Sequence, residues 1–132
     1  MKPGTPIRAA ADVEQLWEEM MGPGGFGIRT LWIVFLDETG CTSDVIVPIE
    51  DIPLHPDALL LRNLAHIVAD VGMQSVLLLV SRPGSRAMTD DDRAWARELG
   101  AAMGAELCRW PIHLATGDHI QVFAADDLIP SA

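Results

Sequence analysis

The apolar run Val76–Val80 is the feature that most limits how this chain can fold. Successive residues of a β-strand point to opposite faces of its sheet, so a run without a polar position needs cover on both faces. Strands of this kind lie inside sheets that have helices on either side. We therefore expect an α/β fold in which a mixed β-sheet is flanked by helices on both faces.

Three segments repeat apolar residues at the spacing of a helix. The first covers 11–21, the second has Pro56 as its first residue and ends at Gly72, and the third follows the N-cap Thr89 and ends at Gly104. The apolar residues at this spacing are, in chain order, Val13, Leu16, Trp17 and Met20, then Leu60, Leu64, Ile67, Val68 and Val71, then Trp95, Leu99, Ala102 and Met103.

Four other segments predict strands that pair as two hairpins. Segments 31–36 and 45–47 lie on either side of a polar turn. Segments 106–115 and 119–124 lie on either side of Thr116-Gly117-Asp118, which is typical of a hairpin turn. With the run at 75–80, the predicted order is α-β-β-α-β-α-β-β.

The length of 132 residues is enough for one domain, which we place at 11–127, between flexible tails at 1–10 and 128–132. The formal net charge is −10 at pH 7, and a negative surface repels the phosphates of nucleic acids. Nucleic-acid binding is therefore not expected.

The same sequence gives no reason to expect a membrane partner. No apolar stretch approaches the roughly 18 residues of a membrane span, and Met1–Gly4 does not begin the apolar region of a signal peptide. The two cysteines, Cys41 and Cys108, do not form a disulfide framework. These features predict a cytoplasmic protein with reduced thiols.

Metal-binding side chains are few, and none has the spacing of a known metal motif. We interpret His66 as a partly buried structural histidine beside the apolar stripe of its helix. His113 and His119 could face each other across the last hairpin, and with Asp92 they form one hypothetical zinc site. The candidates considered are His55, His66, His113, His119, Cys41 and Cys108.

The loop after the run at 75–80 offers a different kind of site, because loops at the ends of strands often bind ligands in α/β proteins. Guanidinium groups there could bind phosphate or carboxylate. The alternative is a solvated loop braced by Arg–Asp pairs, since three aspartates begin the next helix and would repel an anion. The candidate ligand-binding residues are Ser81, Arg82, Ser85 and Arg86, with Asp92 as an acid or base.

The order of elements and several loop residues resemble the JAB/MPN metalloprotease domains, particularly the bacterial RadC-like branch. Leu36-Asp37 matches the Leu-Asp turn of that family, and Val76–Val80 matches the strand before its zinc motif. Pro83 matches the proline of that motif, and Thr89 and Asp92 match its Ser-x-x-Asp. The resemblance covers most of 12–124 and implies a three-layer sandwich like that of cytidine deaminases.

The residues that bind zinc in that family are not preserved. Its two motif histidines would fall on Val80 and Arg82, neither of which is an ordinary zinc ligand, and only Asp92 matches the third ligand. The region of the catalytic glutamate reads Gly27-Ile28-Arg29, without a carboxylate. The resemblance therefore implies a metal-free pseudoenzyme without a cofactor or peptidase activity.

Metal-free members of such a family typically act as scaffolds, so the leading expectation is a protein-interaction module. Its acidic charge favours a basic partner, and a second copy of the chain is also possible. Small-molecule or anion binding at 81–86 is the alternative, and a zinc hydrolase with unconventional ligands is the third. Candidate interface residues are Trp17, Met20, Met21, Trp32 and Trp110.

Overall fold

A computed structural model describes residues 4–21, 28–72, 74–117 and 119–128. The order of its helices and strands is the predicted one. The elements are α1 (Ala10–Met21), β1 (Thr30–Leu36), β2 (Thr42–Glu50), α2 (Ala58–Val71), β3 (Ser75–Arg82), α3 (Asp90–Met103), β4 (His113–Thr116) and β5 (His119–Val122), followed by a 3₁₀ turn (Ala125–Leu128).

The strands form one mixed five-stranded sheet in the order β2-β1-β3-β4-β5. β3 lies in the middle, antiparallel to β1 and parallel to β4, and all of its residues are buried. Because β3 and β4 run in the same direction, their carboxyl ends meet at one edge of the sheet, where Arg82 pairs with Thr116. The polar loop after β3 therefore starts at the carboxyl end of the central strand.

Helices cover both faces of this sheet, which confirms the α/β class. Residues of α2 and α3 pack with Leu31, Ile33 and Phe35 on one face. Residues of α1 pack with Val34 and Leu36 on the other. The alternation along β1 is the strand period of two, so one apolar strand serves two cores.

Capping residues set both ends of α2 and the start of α3. The Asp57 carboxylate accepts a hydrogen bond from the N–H of Leu60, so α2 begins after Asp57, and the predicted start at Pro56 is wrong. Gly72 ends α2 in the left-handed conformation, as predicted. Thr89 caps α3, which confirms the prediction for that helix start.

The chain departs from the predicted strands between α3 and β4. The prediction of a strand over 106–115 is wrong in its first half, because β4 begins only at His113. The N–H of Cys108 instead bonds to the carbonyl of Gly104, and Pro111 has no N–H to give to a strand. β2 is longer than the predicted 45–47.

Part of the segment assigned to the first tail, 1–10, lies against the hairpin of β1 and β2. The N–H of Gly4 donates to the carbonyl of Thr42, the N–H of Ile7 donates to the carbonyl of Gly40, and the Ile7 side chain is buried. The predicted stop at 22–25 and the turn residue Asp118 lie outside the described residues. Across the residues that are described, no helix has the length and apolar character to cross a membrane.

Candidate functional site

The candidate site is built around Arg82, the last residue of β3. Residues two apart on a strand face the same way, so Arg82 lies on the face of Val80, which packs with α2 and α3. The helix α3 begins near this strand end, and its first turn brings Asp92 to Arg82. Arg82 is 5% exposed and Asp92 is 0% exposed, so the two charges form an internal ion pair.

The ion pair has bidentate geometry. Nε of Arg82 donates to Oδ1 of Asp92 over 2.8 Å, and Nη2 donates to Oδ2 over 2.7 Å. Two parallel hydrogen bonds between a guanidinium and a carboxylate are among the strongest polar contacts in proteins, and they fix the relative orientation of the two groups. The end of β3 is therefore tied directly to the start of α3.

The remaining N–H groups of Arg82 bind the loop at 83–89. Nη1 donates to the carbonyls of Pro83 (3.1 Å) and Ser85 (2.9 Å), and Nη2 also donates to the carbonyl of Ala87 (3.0 Å). An arginine side chain has five N–H donors, and here each of them has an acceptor inside the protein. No donor of Arg82 is left for an external anion.

A reciprocal cap at the start of α3 holds Asp92 in place. The N–H of Thr89 donates to Oδ2 of Asp92 over 2.9 Å, and the N–H of Asp92 donates to the Thr89 hydroxyl over 3.1 Å. Burial raises the pKa of the Asp92 carboxyl, but the hydrogen bonds from Arg82 and Thr89 outweigh it and bring the pKa below its ordinary value. Asp92 is therefore ionised at neutral pH.

Val80, Arg82 and Asp92, the residues that the resemblance places at the zinc ligands, do not fit a zinc ion. A catalytic zinc ion takes three protein ligands and keeps one open position. Val80 has no ligand atom, and the Arg82 guanidinium is a permanent cation at the carboxylate that would be the third ligand. The positive charge beside Asp92 is thus already supplied by a side chain.

The side chains of the other predicted ligand-binding residues, Ser81, Ser85 and Arg86, do not converge with that of Arg82. Ser81 faces the α1 side of the sheet, where its hydroxyl accepts from Nε1 of Trp32 (3.0 Å) and donates to the carbonyl of Thr30 (3.3 Å). Ser85 and Arg86 are exposed. Anion binding at 81–86 stays a prediction, with Ser85 and Arg86 as the two members that face solvent.

The histidines predicted for an unconventional zinc site are also apart. His113 pairs with Val122, and His119 pairs with Thr116, so the expectation that they face each other across the hairpin is wrong. His113 lies on the sheet face of Ala115, which packs with α1, whereas Asp92 reaches the opposite face from α3. Burial lowers the pKa of His113, although its hydrogen bond to Pro111 and the charge of Glu14 oppose this.

The other metal-ligand candidates are scattered. His66 is exposed, so its interpretation as a partly buried residue is wrong. The ring of His55 lies 2.5 Å from the carboxylate of Asp91, and burial raises the pKa of the Cys108 thiol. In the ranges that the structure covers, no three His, Cys, Asp or Glu side chains come together as a metal site.

Several candidate interface residues belong to the core. Trp17, a residue of α1, is fully buried, and Met20, Met21, Trp32 and Trp110 are half-buried. The buried Arg82–Asp92 pair was missed by the sequence reasoning, which placed any such pair in solvent. Its signal was the Thr89-x-x-Asp92 cap next to a strand that ends in arginine.

Comparison with known proteins adds no family assignment: no model of a known protein family matches this sequence, and no curated protein matches it.

Proposed function

We propose that this chain is a non-catalytic JAB/MPN-like module that acts in protein–protein interaction, with the Arg82 guanidinium in the role that zinc has in active members. The observation that carries the proposal is the use of all five N–H donors of Arg82 within the protein, two of them on Asp92. Arg82 and Asp92 are also two of the positions that the resemblance assigns to zinc ligands.

The proposed replacement of zinc by the Arg82 guanidinium has a simple electrostatic basis. A buried carboxylate needs a positive charge beside it, and either a metal ion or a guanidinium can supply one. The guanidinium retains the structural part of the role, because it connects β3, the loop at 83–89 and α3. It does not retain the catalytic part, because it cannot bind and acidify a water molecule.

An interaction role fits the surface of the module better than a small-molecule site does. The polar groups at the end of β3 bind one another, so they leave little to recognise a ligand. The helix α2, in contrast, carries large apolar side chains in solvent, among them Leu59 and Ile67. Such side chains are a common component of interfaces when they lie together.

The test restores the two histidines that the resemblance implies. Wild-type protein, purified without chelators and dialysed against excess zinc, is expected to hold no stoichiometric zinc. The double variant Val80→His/Arg82→His is expected to bind one equivalent together with Asp92, and the triple variant with Asp92→Asn is the matched control that loses it. Zinc content is measured by plasma mass spectrometry, and folding by circular dichroism.

Two results would overturn the proposal. One equivalent of zinc in the wild-type protein, lost in Asp92→Asn, would mean that the chain is a metalloprotein with other ligands. A folded double variant that takes up no zinc would mean that positions 80, 82 and 92 lack the family geometry.

A further inference from the structure

The solvent side of α2 carries an exposed apolar row. The helix buries Leu61, Leu64 and Val68 against the sheet. Outside that face, Leu59 is 60% exposed, Ile67 is 45% exposed and Val71 is 37% exposed. Leu59, Asn63, Ile67 and Val71 follow one another at intervals of four residues. Rows with this spacing form the ridges that interlock when two helices pack. α2 thus presents a ridge suited to another helix.

The charges around this ridge are balanced. Arg62 and Asp70 are both exposed, and each lies four residues from His66, on opposite sides of it. The helix α1 is different: it exposes Glu14 and Glu18 and has no basic residue. A basic partner would be attracted to α1, whereas the face of α2 offers one positive and one negative residue and no net attraction for either sign.

The order of these residues makes the α2 face complementary to itself. When two copies of a helix pack antiparallel about a two-fold axis, residues at equal distances before and after the axis meet. An axis near Ala65 and His66 brings Arg62 of one copy near Asp70 of the other. The same axis brings Leu59 of one copy near Val71 of the other, so the ends of the two ridges make apolar contacts, and it brings Ile67 of one copy near Asn63 of the other.

We propose that α2 is the contact surface of a homodimer, in which two copies of this chain pack their Leu59–Val71 ridges antiparallel and exchange Arg62–Asp70 ion pairs. This rests on the proposed interaction role and names the partner as a second copy. A surface of this kind avoids the mutual repulsion of two chains that each carry a net charge of −10, because the contact region is neutral. One helix pair is at the low end of interface size, so a reversible monomer–dimer equilibrium is expected.

The test is sedimentation velocity over a concentration series of the full chain. The wild-type protein is expected to shift from monomer to dimer as concentration rises. Ile67→Glu should raise the dissociation constant at least about tenfold, as expected for a charge placed inside the helix contact near the two-fold axis. Val122→Glu is the matched control, because Val122 has the same 45% exposure but lies on β5, and it should leave the constant unchanged.

Exchanging the charges of Arg62 and Asp70 tests whether the two α2 helices are antiparallel. This test is independent of Ile67→Glu. Arg62→Asp and Asp70→Arg should each weaken the dimer, since each places like charges together. The double variant Arg62→Asp/Asp70→Arg should restore it to within a few-fold of wild type. Circular dichroism checks that all variants are folded.

Three outcomes overturn the inference: a wild-type protein that stays monomeric at every concentration, a dimer that Ile67→Glu leaves intact, or a charge-exchanged double variant that is weaker than both single variants. None of these outcomes affects the zinc measurement, so a failure here is distinct from a failure of the proposed function. A dimer that survives Ile67→Glu would retain the interaction role and move the surface elsewhere.

Discussion

Removal of the Arg82 side chain is the most informative perturbation of this fold. In Arg82→Ala, the Asp92 carboxylate remains fully buried and loses both hydrogen bonds from the guanidinium. Removing one partner of a buried ion pair typically costs about 3–5 kcal/mol. The carbonyls of Ser85 and Ala87 also lose their donor, but both residues are exposed and water can replace it.

That loss is large compared with the stability of a domain of this size. Folded domains are stable by roughly 5–15 kcal/mol, so Arg82→Ala should remove at least about a fifth of the free energy of unfolding, and more if the domain lies at the low end of that range. Urea unfolding followed by tryptophan fluorescence measures it, because Trp17 and Trp95 are buried. The matched control is Arg93→Ala, which breaks ion pairs with Asp90, almost fully exposed, and with Asp127, partly exposed, and a change of about 1 kcal/mol or less is expected.

A double variant separates the unpaired charge from other effects. Arg82→Met/Asp92→Leu removes both charges and should recover much of the loss, because apolar replacement of a buried ion pair is often neutral. About 1 kcal/mol should remain lost, since the N–H of Thr89 no longer has Asp92 as its acceptor. A cost below about 1 kcal/mol for Arg82→Ala, or a double variant no more stable than the single one, would refute the reasoning.

The contribution of the Arg82–Asp92 pair to stability should also depend on pH. The pKa of Asp92 is lower in the folded chain than in the unfolded chain, so its contribution is complete above the ordinary aspartate pKa of about 3.9. The contribution is lost as the pH falls through the lower folded pKa. In Arg82→Ala the lowering effect of the guanidinium is gone and burial raises the pKa of Asp92, so the variant takes up this proton at a higher pH than the wild type. The stability difference between wild type and Arg82→Ala should therefore shrink as the pH falls through the range in which Asp92 of the variant becomes protonated.

Two further predictions concern the surroundings of the pair and the opposite face. Gly84→Ala should cost about 1–3 kcal/mol in urea unfolding, because Gly84 has φ +100°, a backbone conformation that strains an alanine. The added Cβ itself would make only an ordinary contact with Nη1 of Arg82, at 3.5 Å. Gly100→Ala, in open space on α3, should instead be neutral or stabilising. The pKa of His113 is lower in the folded chain, so the unfolded chain takes up this proton first as the pH falls. Stability should therefore fall as the pH drops below about 6.5, by up to about 1.4 kcal/mol per pH unit. The variant His113→Gln should flatten this slope. An unchanged pH slope in His113→Gln would contradict the buried, neutral histidine.

Much of the fold could be predicted because its signals are local. The run Val76–Val80 has no polar position, and that alone requires two covered faces. Thr89 and Gly72 mark helix ends through their own side chain and backbone preferences. The prediction failed where tertiary contacts decide: the apolar residues after Glu106 suggested a strand, but Cys108 bonds back to Gly104, and the carbonyl of Leu107 accepts from the N–H of Val76 at the start of β3.

The site was predicted as a set of residues and not as an arrangement. Arg82 and Asp92 were both singled out, yet their pairing depends on how close α3 begins to the end of β3, which no spacing in the sequence specifies. Ser81 was grouped with Arg82 because they are neighbours in the chain, although neighbours in a strand face opposite ways. Applying that alternation past Val80 would have separated them.

The strand order β2-β1-β3-β4-β5 has a consequence for how fast the chain folds. Two hairpins, β1–β2 and β4–β5, are local and can form on the microsecond scale typical of hairpins. Neither can bury its apolar faces until β3 docks between them, which closes loops that contain α2 on one side and α3 on the other. Because rates fall as contacts become less local, refolding should be limited by this docking, in milliseconds to seconds, and β3 should acquire its native contacts last.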